Sequence, residues 1–249
     1  MSTSVENWPR PTESHRVVHA DDDLVVAFKP SHLLVHRTDV ATQDTDNLRD
    51  RLIAEGVLDH RAHPVNRIDR PTSGLVLFSR HLDAHRFLQA QFAEHRIEKR
   101  YVAVVRGWLE GPGSAEKPLP TGHNSIPKHA RTHFRPLALA EWDVAITRYP
   151  TSRFSLVECI PETGRYHQIR LHLRHLRHPI IGDTAHGDKP HNRFFAAHFV
   201  HRPLYLHAGE LQLTHPNGTQ HRFLAPLPPS WDEVMAEFGW SGQTPFLRG

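Results

Sequence analysis

A single cysteine, Cys159, in 249 residues removes two classes of protein at once. It allows no internal disulfide framework and no thiolate-rich zinc site. No apolar run approaches the roughly 18–20 residues that would span a bilayer. The N-terminal stretch MSTSVENWPRPTESH is polar and lacks the hydrophobic core of a signal peptide. The cytoplasm is therefore the expected compartment, with no membrane contact. Cofactor signatures are missing as well: G-x-G-x-x-G before a helix, G-x-x-x-x-G-K-[ST], H-E-x-x-H and G-x-S-x-G are all absent. Nucleotide cofactors and the usual hydrolase elbows have no support, and neither cofactor nor metal is expected.

The residues that are present describe a folded chain. A hydrophobic fraction of 38% against 23% charged residues excludes disorder, and the length suits one large domain or two small ones. The net charge of +3 is modest, but arginine far outnumbers lysine and there are 23 histidines. The planar arginine fork suits phosphate and stacks on bases. A coding bias toward arginine and histidine would give the same composition, so charge alone does not establish an RNA partner.

Along the chain, residues 1–16 form a loose lead-in and Leu24 to Phe28, closed by Lys29-Pro30, reads as a buried strand. Residues 38–48 read as loop, and Asn47 to Glu55 as a short helix. Gly74 to Ser79 is a second strand. His81 to Arg96 is predicted helical, with Leu82, Phe87, Leu88 and Phe92 on one face. Tyr101 to Trp108 reads as a strand. The Gly/Pro-rich stretch from Gly111 to Lys128 is predicted as a long surface loop or an insertion between two halves of the sheet. Trp142–Thr147 and Phe154–Ile160 are predicted as paired strands. Tyr166 to Arg177 has helical spacing, and Pro216-Asn217-Gly218 signals a hairpin between Leu204–Thr214 and Gln220–Leu224. Strands dominate, so the expected fold is α+β with a large, mostly antiparallel sheet.

Two clusters carry the chemistry. Asn66-Arg67-Ile68-Asp69-Arg70-Pro71-Thr72-Ser73-Gly74 places an acid between two arginines, in a loop directly before a buried strand. A carboxylate there is held rigidly, and a neighbouring guanidinium favours its ionised form, as a nucleophile requires. The plainer alternative is a turn acid in a surface salt bridge. The second cluster, Glu162 to His172, offers Gly164 for a turn into a helix whose first N–H groups can bind an anion. Arg165, His167 and Arg170 then form a cationic array, or merely the solvated face of an amphipathic helix.

In this order the clusters resemble the RluA family of pseudouridine synthases. The family's H-R-L-D-x-x-T-S-G element is matched by Asn66 to Gly74, with Asn for His and Ile for Leu. A basic-x-Tyr element is matched by Lys99-Arg100-Tyr101. T-G-R-x-H-Q-[IL]-R-x-H is matched in full by Thr163 to His172, and H-P-[IL]-x-G-D by His178 to Asp183. The resemblance runs from about Val17 to Trp240. It is closest to the TruC type, which acts on uridine 65 in the T-stem of certain tRNAs. The supporting stretches are His95–Trp108, Thr147–Phe154, Leu173–His186 and Phe238-Gly239-Trp240.

The resemblance implies the pseudouridine synthase fold, a mixed sheet with a central catalytic cleft flanked by helices and loops. It implies one catalytic domain over 17–240, with a loop or insertion at about 111–135 and a tail at 241–249. Asp69 corresponds to the catalytic aspartate, acting on the ribose or on the ring. Tyr101 corresponds to the tyrosine that stacks on the flipped base and helps proton transfer at C5. Arg170 matches the arginine that pairs with the aspartate, Arg165 being the second choice. Arg67 matches an arginine suited to filling the vacated base stack. Arg70, Lys99, Arg100, Arg165, His167 and Gln168 complete the expected RNA contacts. The partner implied is RNA, with tRNA ahead of ribosomal RNA and no obligate protein partner. Affinity should rest on phosphate contacts and fall steeply with salt. An added RNA-binding domain is not expected ahead of the first strand, so loop 111–135 is the leading candidate for specificity.

Two rivals belong to other classes. A metal-dependent hydrolase could draw ligands from His172, His175, Asp183, His186 and Asp188, although no recognised metal signature is present. A non-catalytic RNA-binding module could keep the fold, but binding alone needs no acid placed as Asp69 is.

Overall fold

Continuous apolar runs in the sequence become the centre of a ten-stranded sheet. The computed structural model describes residues 13–37, 46–120 and 126–243. The strands are β1 (Arg16–Ala20), β2 (Leu24–Lys29), β3 (His63–Pro64), β4 (Ser73–Ser79), β5 (Glu98–Arg106), β6 (Gly113–Glu116), β7 (Arg131–Trp142), β8 (Ser152–Pro161), β9 (Leu206–Thr214) and β10 (Gln220–Leu224). The helices are α1 (Leu48–Ala54), α2 (Leu82–Ala93), α3 (Gln168–His175), α4 (Lys189–His198) and α5 (Asp232–Glu237). Spatially the order is β1-β2-β4-β9-β5-β8-β7-β6, with β10 on β9 and β3 on β4. Every pairing is antiparallel except β4 with β9.

Strands β2 and β4 are buried along their whole length because both faces are covered. Successive strand residues point to opposite faces. Leu24, Val26, Phe28, Leu75 and Leu77 therefore pack with Leu88 of α2, while Val25, Ala27, Val76 and Phe78 pack with Leu48 and Leu52 of α1. A third cluster joins β5 and β8 to α3, α4 and the C-terminal segment through Phe154, Phe195, Trp231 and Trp240. The Phe238-Gly239-Trp240 tail is thus a core plug: Phe238 stacks on Phe154 at 5.0 Å, and Trp240 is buried.

The single parallel pairing is short, Ser73 with His207 and Gly74 with Ala208. Gly74 makes it possible. Its φ is +121°, and a Cβ there would lie 2.2 Å from the Ala208 carbonyl oxygen. Buried His207 reinforces the junction through Ser73 Oγ at 2.9 Å and the Ala225 carbonyl at 3.1 Å. The loop carrying Asp69 enters β4 at this junction.

Several expected boundaries shift. The strand predicted at Trp142–Thr147 is instead β7, which ends at Trp142, and residues 143–151 form the connection. Pro136 and the polar Arg131, His133 and Arg135 hid it; a register irregularity between Pro136 and Ala138 accommodates the proline. The loop predicted from Gly111 to Lys128 contains β6, which pairs with β7, and a bridge joins Leu119 to Lys128. Positions 121–125 of that loop, and 38–45 of the earlier one, lie outside the described residues. The helix predicted from Tyr166 to Arg177 is only α3, because His167 and Arg177 have left-handed φ values of 51° and 66°. The left-handed residue entering α3 is His167, not Gly164. In α2 the buried face is Ala84, Leu88 and Gln91, while Leu82 and Phe87 are exposed. The short β1 begins at the last residue of the expected lead-in, and the β9–β10 hairpin forms as predicted.

Candidate active site

The Asp69 loop is fastened at both ends before any functional contact is made. Asn66, which stands where the resembled motif has histidine, acts as a backbone clamp on β4. Its Oδ1 accepts from the Leu77 N–H at 2.7 Å and its amide donates to the Leu75 carbonyl at 3.5 Å. Lys29, fully buried at the end of β2, donates Nζ–H bonds to the carbonyls of Pro30, Leu33 and Arg70 at 2.9, 2.8 and 3.0 Å. Burial pushes its ammonium well below the ordinary lysine value, against the opposing pull of the Asp69 charge. Three carbonyl acceptors make this buried cation tolerable. Ser31 Oγ donates to the Pro71 carbonyl at 2.6 Å, and the Thr72 N–H donates to the Asp69 carbonyl at 3.0 Å, closing the turn.

The Asp69 side chain is about a quarter exposed, 26%, and meets Arg170 of α3. Arg170 is 4% exposed and forked. Its Nη1 donates to Asp69 Oδ2 at 3.0 Å, while Nε and Nη2 donate to the two oxygens of Asp183 at 2.8 Å each. Burial opposes the charge on the guanidinium, but the two carboxylates outweigh it and hold its pKa above the usual value. Burial likewise opposes ionisation of Asp183. Its bonds from Arg170 and the His186 N–H prevail, so its carboxyl lies below the ordinary range. Asp183 is delivered by the turn at Gly182, whose φ is +81° and where a Cβ would lie 2.0 Å from the Pro203 carbonyl oxygen.

Tyr101 of β5 lies between two core clusters and is partly buried. Burial and the Asp69 charge push its phenol above the ordinary tyrosine value, so the O–H is retained at neutral pH. His167 lies nearby with Nε2 3.8 Å from Asp69 Oδ2 and Nδ1 2.8 Å from His186 Nε2. The exposed Tyr166 ring stacks on it at 3.7 Å. Asp69, Arg170, Tyr101 and His167 thus converge from a loop, a helix, a strand and a helix entry. The arrangement holds a guanidinium-paired, partly exposed carboxylate near a protonated phenol.

The other expected RNA contacts divide. Arg67 is exposed, and Arg70 Nε donates to the His32 carbonyl at 3.1 Å. Arg165 is half-buried and donates Nε–H to the His129 carbonyl at 3.2 Å. Gln168 is buried: its Oε1 accepts from Thr163 Oγ1–H and the Arg165 N–H, and its amide donates to the Arg131 carbonyl and Thr132 Oγ1. Its polar atoms are spent on the fold, not on a ligand. Lys99 is buried with Nζ over the Phe92 ring at 5.5 Å, and burial lowers its pKa to about 8.

Arg100 belongs to a ladder of alternating charge across five adjacent strands. Arg222 of β10 binds Glu210 of β9 at 3.0 Å, and Arg100 of β5 lies 3.8 Å from Glu210 and 3.6 Å from Glu158 of β8. Arg135 of β7 completes it at 2.8 Å from Glu158. Tyr101 pairs with Cys159 in the sheet, so neighbouring Glu158 points to the opposite face. Arg100 is a strut on the sheet face opposite Tyr101. His172, weighed above as a metal ligand, has its ring nitrogens at Thr132 Oγ1 and the Lys117 carbonyl.

The sequence reading missed Lys29 and gave no role to Asp183 or His186 at this site. A lysine closing a fully apolar strand was the available signal for the first. From the sequence His186 is only a candidate metal ligand or the first residue of a His-rich surface stretch, 186–207, without chemistry.

The sequence model described as RNA pseudouridylate synthase matches residues 23–175. The tRNA pseudouridine synthase C of Salmonella typhi is 41% identical over 92% of this chain and 92% of its own length. The protein of that name from Pectobacterium carotovorum subsp. carotovorum is 41% identical over 94% of this chain, which spans 64% of that relative. The Vibrio cholerae protein of that name is 38% identical over 90% of this chain and 96% of its own. Among solved structures, human RNA pseudouridylate synthase domain containing 1 superposes with a TM-score of 0.68 at 22% identity, covering 88% of this chain and 86% of that one. Human RNA pseudouridylate synthase domain containing 4 gives 0.67 at 22% identity, over 90% and 92%. At that identity the likeness concerns the fold.

Proposed function

The chain belongs to the RNA pseudouridylate synthase family, and on that premise we propose that it isomerises uridine to pseudouridine in tRNA with Asp69 as the nucleophile. The observation that carries this reading is the Arg170 fork. One buried guanidinium is anchored on Asp183 through Nε and Nη2 and donates from Nη1 to Asp69, so the Asp69 carboxylate is held in one orientation while a quarter of it stays exposed. Pre-oriented charge of this kind lowers barriers where charge develops.

In the isomerisation the C1′–N1 bond breaks, the base turns within the pocket, and C1′ bonds to C5. C5 then loses its proton and N1 gains one, so no redox partner or phosphate energy is required. Asp69 meets the ribose or the ring, and the protonated Tyr101 phenol stacks against the base and assists proton transfer at C5. A paired uridine must first leave its stack, at about a few kcal/mol, and exposed Arg67 is suited to occupy the gap. The relatives named tRNA pseudouridine synthase C support tRNA as the substrate. The resemblance to the type acting on uridine 65 supports a T-stem position.

Tritium release from tRNA labelled at C5 of uridine, followed by carbodiimide-stop mapping, tests the reading. Wild type should release tritium and give a stop at the T-stem uridine, and Asp69→Asn should release none while binding RNA within a few-fold. Release only from ribosomal RNA would move the substrate. Full turnover in Asp69→Asn would remove Asp69 from the chemistry.

A further inference from the structure

We propose that His186, acting through His167, is a positioning residue that fixes which oxygen of Asp69 faces the substrate. The inference rests on the reading of Asp69 as the reacting carboxylate.

The geometry forms a chain of three groups. His186 Nε2 lies 2.8 Å from His167 Nδ1, and His167 Nε2 lies 3.8 Å from Asp69 Oδ2. A neutral imidazole carries one N–H, so the tautomers of the two rings are linked. If His186 donates from Nε2, His167 must accept at Nδ1, and its own N–H then sits on Nε2, facing the carboxylate. The opposite choice would aim a ring lone pair at a carboxylate oxygen. Among the described residues His186 Nδ1 is buried without a hydrogen-bond partner, and the hydrogen bond of that ring runs to His167.

Both rings are kept neutral. The pKa of His167 is lowered to about 4, chiefly by burial, with Arg170 and His186 acting in the same direction and Asp69 and Asp183 opposing. Burial also lowers His186, again with Arg170 and Arg174 against Asp183 and Asp69. A doubly protonated His167 would force His186 to accept at Nε2 and carry its own proton on the buried, unpartnered Nδ1.

The backbone shows that His167 is placed, not incidental. It holds a left-handed φ of 51°, which costs a non-glycine residue free energy that its surroundings must offset. That conformation brings the ring between stacked Tyr166 and His186. The turn that carries His186 also carries Asp183, and the His186 N–H donates to Asp183 Oδ1 at 2.9 Å. One turn therefore controls the two groups that approach Asp69 Oδ2: Arg170 through the Asp183 fork, and His167 through His186. Both approach Oδ2, which leaves Oδ1 to the substrate. The 3.8 Å contact is expected to shorten when bound RNA excludes water.

The test compares wild type, Asp69→Asn, His186→Phe and His186→Gln by single-turnover tritium release from C5-labelled tRNA between pH 5 and 8, with folding checked by circular dichroism. His186→Phe should lower the rate constant on the order of 10-fold with KM little changed. Its acid limb should move to higher pH, because Nδ1 of His167 is then free to take a proton beside Asp69. His186→Gln, whose amide can still donate to Nδ1, should recover most of the rate. A wild-type rate in His186→Phe, equal losses in both His186 variants, or a change in KM alone would overturn the proposal. If Asp69→Asn is inactive while His186→Phe behaves as wild type, only the positioning role falls. If Asp69→Asn turns over, the nucleophile reading falls and the positioning role with it.

Discussion

Arg170 shows why residue type matters more than charge at this site. Its five N–H donors lie in a fixed plane, and three of them reach two carboxylates at 2.8–3.0 Å. A lysine carries the same charge as a point and cannot span both partners. Arg170→Lys is expected to fold, as judged by circular dichroism, and to lose turnover on the order of 100-fold, because misplacing a reacting group by about 1 Å has that effect. Near-normal single-turnover rates would show that charge alone suffices. The motif named Arg170 and Asp69 from the sequence, but they stand 101 residues apart and only the fold places them in contact. Asn66 was less legible: its departure from the motif left the local bonding open, and the structure shows an amide whose two ends satisfy two backbone groups of one strand.

At the scale of elements, the site depends on the junction where β4 meets β9. Gly74 has no room for a side chain, and its φ of +121° disfavours one in any case. Gly74→Ala is expected to lower stability by about 2–5 kcal/mol through backbone strain and overpacking, read as a lower urea midpoint. An unchanged midpoint would mean that the parallel pairing can slide without loss. Elements with strong periodicity or a firm turn signal, such as β2, β4, α1 and the β9–β10 hairpin, were legible. Strand β7 was not, because its alternation is mostly polar and Pro136 interrupts it. The helix face of α2 was misjudged because burial depends on which side meets the sheet, and Leu82 and Phe87 lie on the other.

For the whole molecule, histidine couples stability to pH. His32, His167 and His207 are each held to about 4 instead of 6.5, chiefly by burial. The unfolded chain takes up these protons near pH 6.5, whereas the folded chain resists until about pH 4. Between those values the unfolded state binds more protons, so stability falls as pH falls. Scanning calorimetry should give a melting temperature at pH 5 lower than at pH 7, by on the order of 10 °C. Carboxyls lowered by the fold, such as Asp21 at about 2, lose their contribution only below that window. A flat melting temperature from pH 7 to 5 would mean that these rings take up protons without loss of stability.

The sequence by itself determined the family, the α+β class and the identity of the motif residues, because spacing and residue type along a chain are local properties. Which polar side chains face Asp69 was decided only by tertiary structure. Arg100 and Gln168 sit inside matched motifs, yet strand alternation turns one to the reverse face and burial commits the other to the fold. His186 has no weight in the sequence as a partner of Asp69. It gains one because a left-handed residue and a glycine turn, on either side of α3, bring two imidazole nitrogens to 2.8 Å, one ring lying beside that carboxylate.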